Sequence, residues 1–212
     1  MTILSSADAY PRLAAHYDAA LNPVLALEAR LLASILPDIE GLLVADVAAG
    51  TGRWSKYCRQ RGARVVSVDL CHEMLRQAPG DRVQADVRRT PLRDACVDLT
   101  ICSLGIGYAP ECLTELARVT RPGGTLLVSD LHPEAMRRGW RRSFEVGGEL
   151  IEVASHAYAL SDLQALRLQP VRLLEAGFGE PERQIFERTG KSSRFEELRA
   201  LPAVFVAQWI KT

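Results

Sequence analysis

The segment from Asp46 to Gly52 has the residue types of a ligand-binding turn. It reads Asp-Val-Ala-Ala-Gly-Thr-Gly, follows an apolar run of strand length and precedes a helical pattern. The glycines at 50 and 52 allow a sharp turn and let a ligand approach the main chain closely. Because a strand-to-helix turn without any ligand needs the same glycines, this motif alone is a weak indication of a binding site.

Asp69, which ends the next predicted strand, strengthens that interpretation. It lies 19 residues after Gly50, where an acidic side chain can accept hydrogen bonds from both hydroxyls of a ribose. Capping the following helix is an alternative role, and the two roles are compatible. Asp69 does not distinguish NAD from S-adenosylmethionine, since both ligands carry adenosine.

Two observations weigh against a nicotinamide dinucleotide. The phosphate-binding turn for such a ligand usually has a third glycine three residues after the second, and that position is Ser55 here. A dinucleotide fold would also continue with parallel strands and a substrate domain, whereas about 80 residues follow Leu131. The turn is therefore unfavourable for a nicotinamide dinucleotide, and it does not by itself identify another adenosine ligand.

His132 is the candidate general base. It follows Asp130 by two residues at the predicted end of a strand, and Pro133 biases it toward an extended backbone. An imidazole titrates near neutrality and can take a proton from a substrate hydroxyl, amine or acidic carbon. A purely structural role is the alternative for His132, and His156 and Tyr108 are rival bases.

A basic cluster surrounds Trp140 and consists of Arg137, Arg138, Arg141 and Arg142. The cluster is either a solvated surface loop or part of a cap that steers an acidic or planar substrate through arginine forks and an aromatic face. The predicted substrate contacts are Tyr108, Trp140, Arg141 and His156.

Strand-like and helical segments alternate over the first two thirds of the chain. Strands are predicted over 42–49, 64–70, 82–87, 97–104 and 125–131, and helices over 23–36, 53–62, 72–78 and 111–120. Near-continuous apolar strands separated by helices predict a parallel sheet that is covered on both faces.

The pattern changes after Leu131. Residues 132–160 contain the basic loop and a possible hairpin that turns at Gly147-Gly148. The remaining predictions are a helix over 161–178 with Ser161 as its N-cap and a kink at Pro170, and two final strands over 181–188 and 203–212. The segment between these strands is too short and irregular for a standard crossover helix, which favours an antiparallel end to the sheet.

The order of these motifs resembles a class I S-adenosylmethionine-dependent methyltransferase. The matching pieces are DVAAGTG, VDLCHEML, QADV, VDLTICSL and RPGG before a strand, and they span residues 42–131. The resemblance implies a Rossmann-like, doubly wound, seven-stranded sheet, mostly parallel with an antiparallel last strand and with helices on both faces. Ala48 departs from the family, which more often has a glycine there, and Cys71 stands where many relatives carry serine.

The same resemblance implies a set of residues that contact S-adenosylmethionine. The set is Tyr17, Asp46, Ala48, Ala49, Gly50, Asp69, Leu70, Met74, Asp86, Val87, Ser103 and Leu104. Asp46 and the 48–50 backbone would line the amino-acid end of the cofactor, and Asp69 would hold the ribose beside Leu70 and Met74. Asp86 and the Val87 amide would face the adenine. Ser103 and Leu104 would lie near the sulfonium, and Tyr17 would belong to a lid.

We expect a single methyltransferase domain over residues 1–212. Its parts are a helical lid over 1–40, a cofactor-binding core over 42–131, a substrate cap over 132–160 and a C-terminal helix with the final strands over 161–212. The expected reaction is methyl transfer to an O, N or C atom of a small molecule, such as a secondary metabolite. A non-methylating regulatory protein on the same fold and an RNA or protein methyltransferase are the alternatives.

The amino-acid composition limits the classes of partner that we expect for this protein. Lys and Arg together number 26, as do Asp and Glu, so no net basic field exists to hold nucleic acid or an anionic membrane. The N-terminal residues show no secretory pattern, and five cysteines without a C-x-x-C motif predict reduced thiols, a cytoplasmic protein and no metal site. Monomer and homodimer remain open.

Overall fold

The computed structural model describes residues 1–165 and 167–212. The strands in these ranges are β1 Thr2–Leu4, β2 Leu43–Val47, β3 Arg64–Asp69, β4 Asp81–Gln84, β5 Val97–Ser103, β6 Thr120–Leu131, β7 Arg142–Val146, β8 Glu149–Val153, β9 Leu168–Ala176 and β10 Val204–Lys211. The α-helices are α1 Ser6–Leu13, α2 Pro23–Ile35, α3 Arg53–Arg59, α4 His72–Leu75, α5 Leu113–Val119, α6 Pro133–Arg137, α7 Glu180–Arg188 and α8 Ser192–Leu198.

Seven strands form one sheet in the order β4-β3-β2-β5-β6-β10-β9. The pairs from β4 to β6 are parallel, and β10 runs antiparallel to both β6 and β9. The chain continues from β2 to β3 and β4 on one side and later adds β5 on the other side. The predicted fold class is thus confirmed, and the reversal between β2 and β5 creates the crevice where such sheets bind ligands.

Apolar side chains on both faces of the sheet explain why helices cover each face. In β2, Val44 belongs to a core cluster that includes α2, α3, α7 and α8, whereas Ala45 and Val47 belong to the cluster that includes α5. A strand that is buried on both faces needs apolar residues at successive positions rather than at alternate ones. The start of α2 follows the predicted pattern, because the Asn22 side chain accepts hydrogen bonds from the first-turn amides and Pro23 occupies the first turn.

Two predictions for the C-terminal part were wrong. The predicted helix over 161–178 is not formed, because residues 168–176 of this segment are β9. Its first two residues belong to a short 3₁₀ turn, Leu160–Asp162. Residue 166 lies outside the described ranges. Pro170 is compatible with β9 because this strand lies at the edge of the sheet. The outer side of an edge strand has no partner strand, so the missing amide hydrogen of a proline interrupts no backbone hydrogen bond there.

The second error concerns residues 181–188, which were predicted as a strand and form α7. Pro181 lies in its first turn and Glu182 accepts a hydrogen bond from the Gly179 amide at 2.8 Å, which is the pattern of a helix start. The segment that follows was predicted to be irregular and contains α8. The sheet is therefore completed by β9 and β10.

A second, three-stranded sheet joins the N-terminus to the segment after β6. Its order is β1-β8-β7, with β1 parallel to β8 and the β7–β8 hairpin turning at Gly147 and Gly148 as predicted. Ala9 of α1 packs with Ile151 and Val153 in the small core of this layer. The two segments therefore form one structural layer. None of the helices in the described ranges has the length and hydropathy needed to cross a membrane.

Candidate cofactor and substrate pocket

A cavity of about 670 Å³ opens beyond the carboxyl ends of β2, β3 and β5. Its floor comes from the turns after these strands, and its cover comes from α1, the start of α2 and the three-stranded layer. The volume lies within the range of about 300–1,000 Å³ that is usual for small-molecule sites.

The turn after β2 is held by the carboxylate that ends β3. The Gly50 amide donates to Asp69 Oδ2 at 2.7 Å, and the Cys71 amide donates to Asp69 Oδ1 at 2.8 Å. Burial raises the pKa of Asp69, although these amide hydrogen bonds oppose the shift. Each carboxylate oxygen keeps further lone pairs, so Asp69 can hold this turn and still accept hydrogen bonds from a ligand.

The structure brings the predicted cofactor residues together. Ten of the twelve line the large cavity, namely Tyr17, Ala48, Gly50, Asp69, Leu70, Met74, Asp86, Val87, Ser103 and Leu104. Asp46 and Ala49 instead line a small adjoining pocket of about 40 Å³, which shares Ala48 and Gly50 with the large one. Their individual contacts with a cofactor remain predictions.

Asp86 has a partner within its own turn. Its carboxylate accepts hydrogen bonds from the backbone amide of Arg88, at 2.9 Å, and from the guanidinium of the same residue. The Arg88 side chain lowers the pKa of Asp86. Asp86 is therefore ionised at neutral pH, so both of its oxygens are acceptors and either can receive a hydrogen bond from an adenine amino group.

Asp46 is buried and faces the protein rather than the large cavity. Its Oδ2 accepts hydrogen bonds from the Ser55 amide at 2.8 Å and from the Ser55 hydroxyl at 2.6 Å. Burial raises the pKa of Asp46 to about 6, while the bonds from Ser55 oppose the shift. This carboxyl group therefore connects the end of β2 to α3.

We expect the raised pKa of Asp46 to make stability depend on pH. The folded state favours the protonated carboxyl, so this contribution is fully present below about pH 4 and is lost as pH rises to about 6. A pKa of about 6 in place of the ordinary 3.8 corresponds to about 3 kcal/mol in total. The free energy of unfolding of the wild type, relative to Asp46→Asn, should fall by most of that amount, about 2–2.5 kcal/mol, between pH 4 and pH 7 in urea titrations.

Asp81→Asn is the matched control, because Asp81 is an exposed carboxylate at the start of β4. Its stability curve should remain parallel to that of the wild type over the same pH range. If Asp46→Asn also remains parallel, Asp46 does not titrate with the raised pKa.

Ala48 and Leu104 have positive φ angles of 59° and 54°, which residues with a side chain rarely adopt. Both line the cavity, and such strain is typical of functional sites. The methyl group of Ala48 lies against Gly105, where an added Cβ would be 2.6 Å from it. The residue that departs from the family's glycine is thus accommodated by a glycine on the neighbouring turn.

Gly105→Ala should therefore destabilise the protein by about 1–3 kcal/mol through overpacking against Ala48 and Cys102. The double variant Ala48→Gly/Gly105→Ala moves the methyl group from one turn to the other and should recover most of the loss. Thermal unfolding of both variants measures this coupling. Equal destabilisation in the single and double variants would contradict it.

The sequence analysis missed a buried carboxylate at the inner end of this site. Glu28 Oε1 accepts hydrogen bonds from the Ser129 hydroxyl at 2.6 Å, the Ser103 hydroxyl at 2.8 Å and the Trp54 indole at 3.3 Å. Its Oε2 accepts one from Arg53 at 2.6 Å. Glu28 thus connects α2 to α3, β5 and β6.

A signal for this role was present in the sequence. Glu28 shares the face of α2 that carries Leu31, Leu32 and Ile35, and all four residues are buried. A carboxylate on the apolar face of a helix must find partners or lose its charge. Arg53, which also lines the small pocket, directly follows the glycine turn and was not singled out either.

Three of the four predicted substrate contacts line the cavity. Tyr108, Trp140 and Arg141 do so, together with Tyr10, whose hydroxyl bonds to that of Tyr108. His156 is exposed and does not belong to the described residues that line the cavity. Its backbone amide donates to the Gly107 carbonyl at 2.7 Å, so it contributes to the cover through its main chain.

The structure does not bring His132 to the cavity, in contrast to our expectation. Its Nδ1 accepts a hydrogen bond from the Glu134 amide at 3.0 Å, which makes it the N-cap of α6, and its Nε2 lies 2.7 Å from Glu175 Oε1. Since Nδ1 acts as an acceptor, Nε2 carries the proton and donates to Glu175. Neither ring nitrogen is free to receive a proton from an acceptor.

The basic cluster divides between the surface and the cavity. Arg137 and Arg138 are exposed and form ion pairs with Glu134 of the same helix. Arg141 and Arg142 line the cavity. Trp140 packs parallel to Phe178, with 5.8 Å between ring centroids. Within residues 1–165 and 167–212, no group of three or more His, Cys, Asp and Glu side chains could hold a metal ion.

A family model described as a methyltransferase domain matches residues 45–128. This range contains the glycine turn, Asp69 and the strands that form the cavity floor. This part of the chain matches a methyltransferase domain, so the predicted resemblance to the class I S-adenosylmethionine-dependent methyltransferases is confirmed. The family's cofactor is S-adenosylmethionine, as the sequence analysis predicted.

Relatives of known name are similar over part of the chain. The chain is 36% identical over 147 residues to malonyl-[acyl-carrier protein] O-methyltransferase of Pectobacterium atrosepticum, a match that covers 64% of this chain and 58% of the relative. It is 38% identical over 133 residues to the protein of the same name from Serratia marcescens, covering 59% and 52%. The chain therefore spans about half the length of the curated relatives it matches.

Solved structures share the fold at low sequence identity. A methyltransferase from Mesorhizobium loti superposes with a TM-score of 0.68 at 20% identity, covering 92% of this chain and 99% of that one. Geranyl diphosphate C-methyltransferase from Streptomyces coelicolor A3(2) gives 0.64 at 14% identity, covering 89% and 79%. These similarities extend beyond the region matched by the family model to nearly the whole chain.

Proposed function

We propose that this protein transfers a methyl group from S-adenosylmethionine to an acyl substrate. The observation that carries the proposal is the turn at Gly50, which is held by Asp69 and lines the same cavity as Trp140 and Arg141. The part of the cavity beside this turn would hold the adenosine, and the volume of about 670 Å³ leaves room for an acceptor.

The residues at the turn fit the cofactor. Gly50 has a φ of 57°, and a Cβ added there would lie 3.5 Å from the Met74 methyl, in space that a ligand can use instead. Asp69 would accept hydrogen bonds from the ribose, and Met74 and Leu70 would pack beside it. Arg53 lies in the adjoining small pocket, where the amino-acid end would extend.

Catalysis on this site would rest on orientation. S-adenosylmethionine supplies an activated methyl group on a positively charged sulfur. The protein has to hold the acceptor atom in line with that methyl group, and positioning of this kind is worth about 7–11 kcal/mol of barrier. Since His132 is used as a helix cap, an acceptor that is already ionised suits the site better than one that must lose a proton.

The names of the relatives favour a carboxylate oxygen as the acceptor. The Pectobacterium and Serratia relatives are named as O-methyltransferases of malonyl groups on an acyl carrier protein, and a relative from Cellvibrio japonicus is named as a bifunctional protein of biotin biosynthesis. A carrier-bound half-acid is therefore a better candidate than a free secondary metabolite. We further propose that residues 1–40 and 132–160 act together as the lid and cap.

Incubation with radiolabelled S-adenosylmethionine tests the proposal. Malonyl-carrier protein and a metabolite extract are offered in separate reactions, and labelled methyl ester is expected from the first. Label transferred only in the extract would support a methyltransferase with another small substrate. Cofactor binding without any transfer would favour a non-methylating protein on this fold, and no binding would contradict the proposal.

A further inference from the structure

We propose that Arg142 at the cap end of the cavity binds a carboxylate of the acceptor. This inference rests on the proposed function and specifies the substrate class that the site selects. The supporting observations are the arginines that line the cavity from the cap and the incomplete bonding of one buried guanidinium.

Charged side chains of both signs line the cavity. Asp69, Asp86 and Arg88 line it from the turns of the large sheet, and Arg141, Arg142 and Glu145 line it from the cap, with Lys191 from the segment after α7. Asp130 pairs with Arg142, and Glu152 lies 3.7 Å from Arg141. The cap thus presents guanidinium groups in fixed positions to an acceptor, and such groups favour an anionic one in a confined space.

Arg142 is placed firmly within the cap. Its side chain is 10% exposed, and its Nη2 forms an ion pair with Asp130, which is fully buried. Asp130 Oδ2 also accepts a hydrogen bond from the Gly107 amide at 2.7 Å. The guanidinium carbon lies 4.8 Å from the centre of the Tyr108 ring. Ion pair and ring together fix the orientation of the guanidinium before any substrate binds.

One nitrogen of this guanidinium lacks an acceptor. Arg142 Nη1 is buried and has no hydrogen-bond partner within the part of the chain that the structure describes. An unsatisfied buried donor on a charged group is costly, and a carboxylate offers the acceptor geometry that a guanidinium prefers. Tyr10 and Tyr108, whose hydroxyls bond to each other beside Arg142, supply further polar groups to the same wall.

Such a contact would be consistent with the chemistry of ester formation. An acceptor carboxylate that binds Arg142 through one oxygen has its other oxygen free to form a bond to the methyl carbon. As this C–O bond forms, the C–S bond breaks and its electron pair remains on sulfur. The acceptor is already ionised at neutral pH, so no proton has to leave and no general base is required.

Two thioesters that differ in their terminal group test the inference. Malonyl- and butyryl-N-acetylcysteamine have acyl chains of similar length, and only the first carries a carboxylate. We expect calorimetry to show that the wild type binds the malonyl compound about 10- to 100-fold more tightly, the effect of one charge-assisted contact. Arg142→Gln should reduce this ratio to about threefold or less and leave the affinity for S-adenosylhomocysteine unchanged.

The controls separate this contact from general damage. Arg138→Gln removes an exposed arginine that pairs with Glu134, and it should keep the wild-type ratio. Because Arg142→Gln leaves Asp130 without its partner, Asp130→Asn/Arg142→Gln provides a second variant without a lone buried charge. A wild-type ratio in either folded Arg142 variant, or equal binding of both thioesters by the wild type, would overturn the inference. Failure of the wild type to bind S-adenosylhomocysteine would contradict the proposed function instead.

Discussion

Asp69→Ala is expected to weaken S-adenosylmethionine binding by about 2–4 kcal/mol. The loss of two charge-assisted hydrogen bonds to the ribose accounts for most of this effect. The structure adds a second cause, because Asp69 also accepts the Gly50 and Cys71 amides that hold the turn in place. At about 1.4 kcal/mol per tenfold, the dissociation constant should rise roughly 30- to 1,000-fold in calorimetry.

Asp69→Asn separates these two causes. An amide keeps one acceptor for a backbone hydrogen bond but presents a donor on its other side, so we expect an intermediate loss. Asp81→Ala, in an exposed position at the start of β4, should leave the affinity unchanged. An unchanged dissociation constant in Asp69→Ala would remove Asp69 from the cofactor site.

Glu28→Ala is expected to lower the free energy of unfolding by about 3–5 kcal/mol. The substitution leaves the Ser129 hydroxyl and the Trp54 indole without an acceptor in the core, and it removes the buried partner of Arg53. Because Ser103 loses the same partner at the floor of the cavity, cofactor affinity should also fall. Urea unfolding monitored by circular dichroism measures the first effect.

Glu28→Gln tests how much of this loss of unfolding free energy depends on the charge of Glu28. Its amide oxygen can replace Oε1 toward the serines and the indole, while its amide nitrogen would face Arg53, so we expect a smaller loss than in Glu28→Ala. Glu187→Ala, on the exposed side of α7, should stay within about 0.5 kcal/mol of the wild type. A loss below about 1 kcal/mol in Glu28→Ala would mean that α2 is held by its apolar residues alone.

The central part of the fold could be predicted because its signals are local. The apolar runs of β2, β3 and β5 are each buried on both faces, and the glycines at 50 and 52 follow β2 directly. Parallel strands place their carboxyl ends at one edge of the sheet. For that reason the positions of Gly50 and Asp69 in the sequence were sufficient to predict that they lie at the same edge of the sheet, whereas the hydrogen bond between them is known only from the structure.

The C-terminal errors arose where local pattern and tertiary pairing disagree. Residues 168–176 alternate too weakly to indicate a strand, and they form β9 because β10 offers a free edge beside them. Residues 181–188 have the length of a strand, yet the capping by Glu182 and the pairing of its carboxylate with Arg30 of α2 stabilise a helix. Pairing between distant segments outweighs local propensity in β9, whereas in α7 the contact with Arg30 adds to a local helix-start signal that the sequence analysis overlooked.

Strand period and residue type were enough to predict the class of fold, the glycine turn and the acidic residue that ends the next strand. Which polar side chains face the cavity depended on tertiary contacts. His132 became a helix cap, Glu28 acquired its donors from three other elements, and the ion pair with Asp130 buried Arg142 at the cap end. A side chain's partners come from segments far apart in the chain, and local spacing contains no information about them.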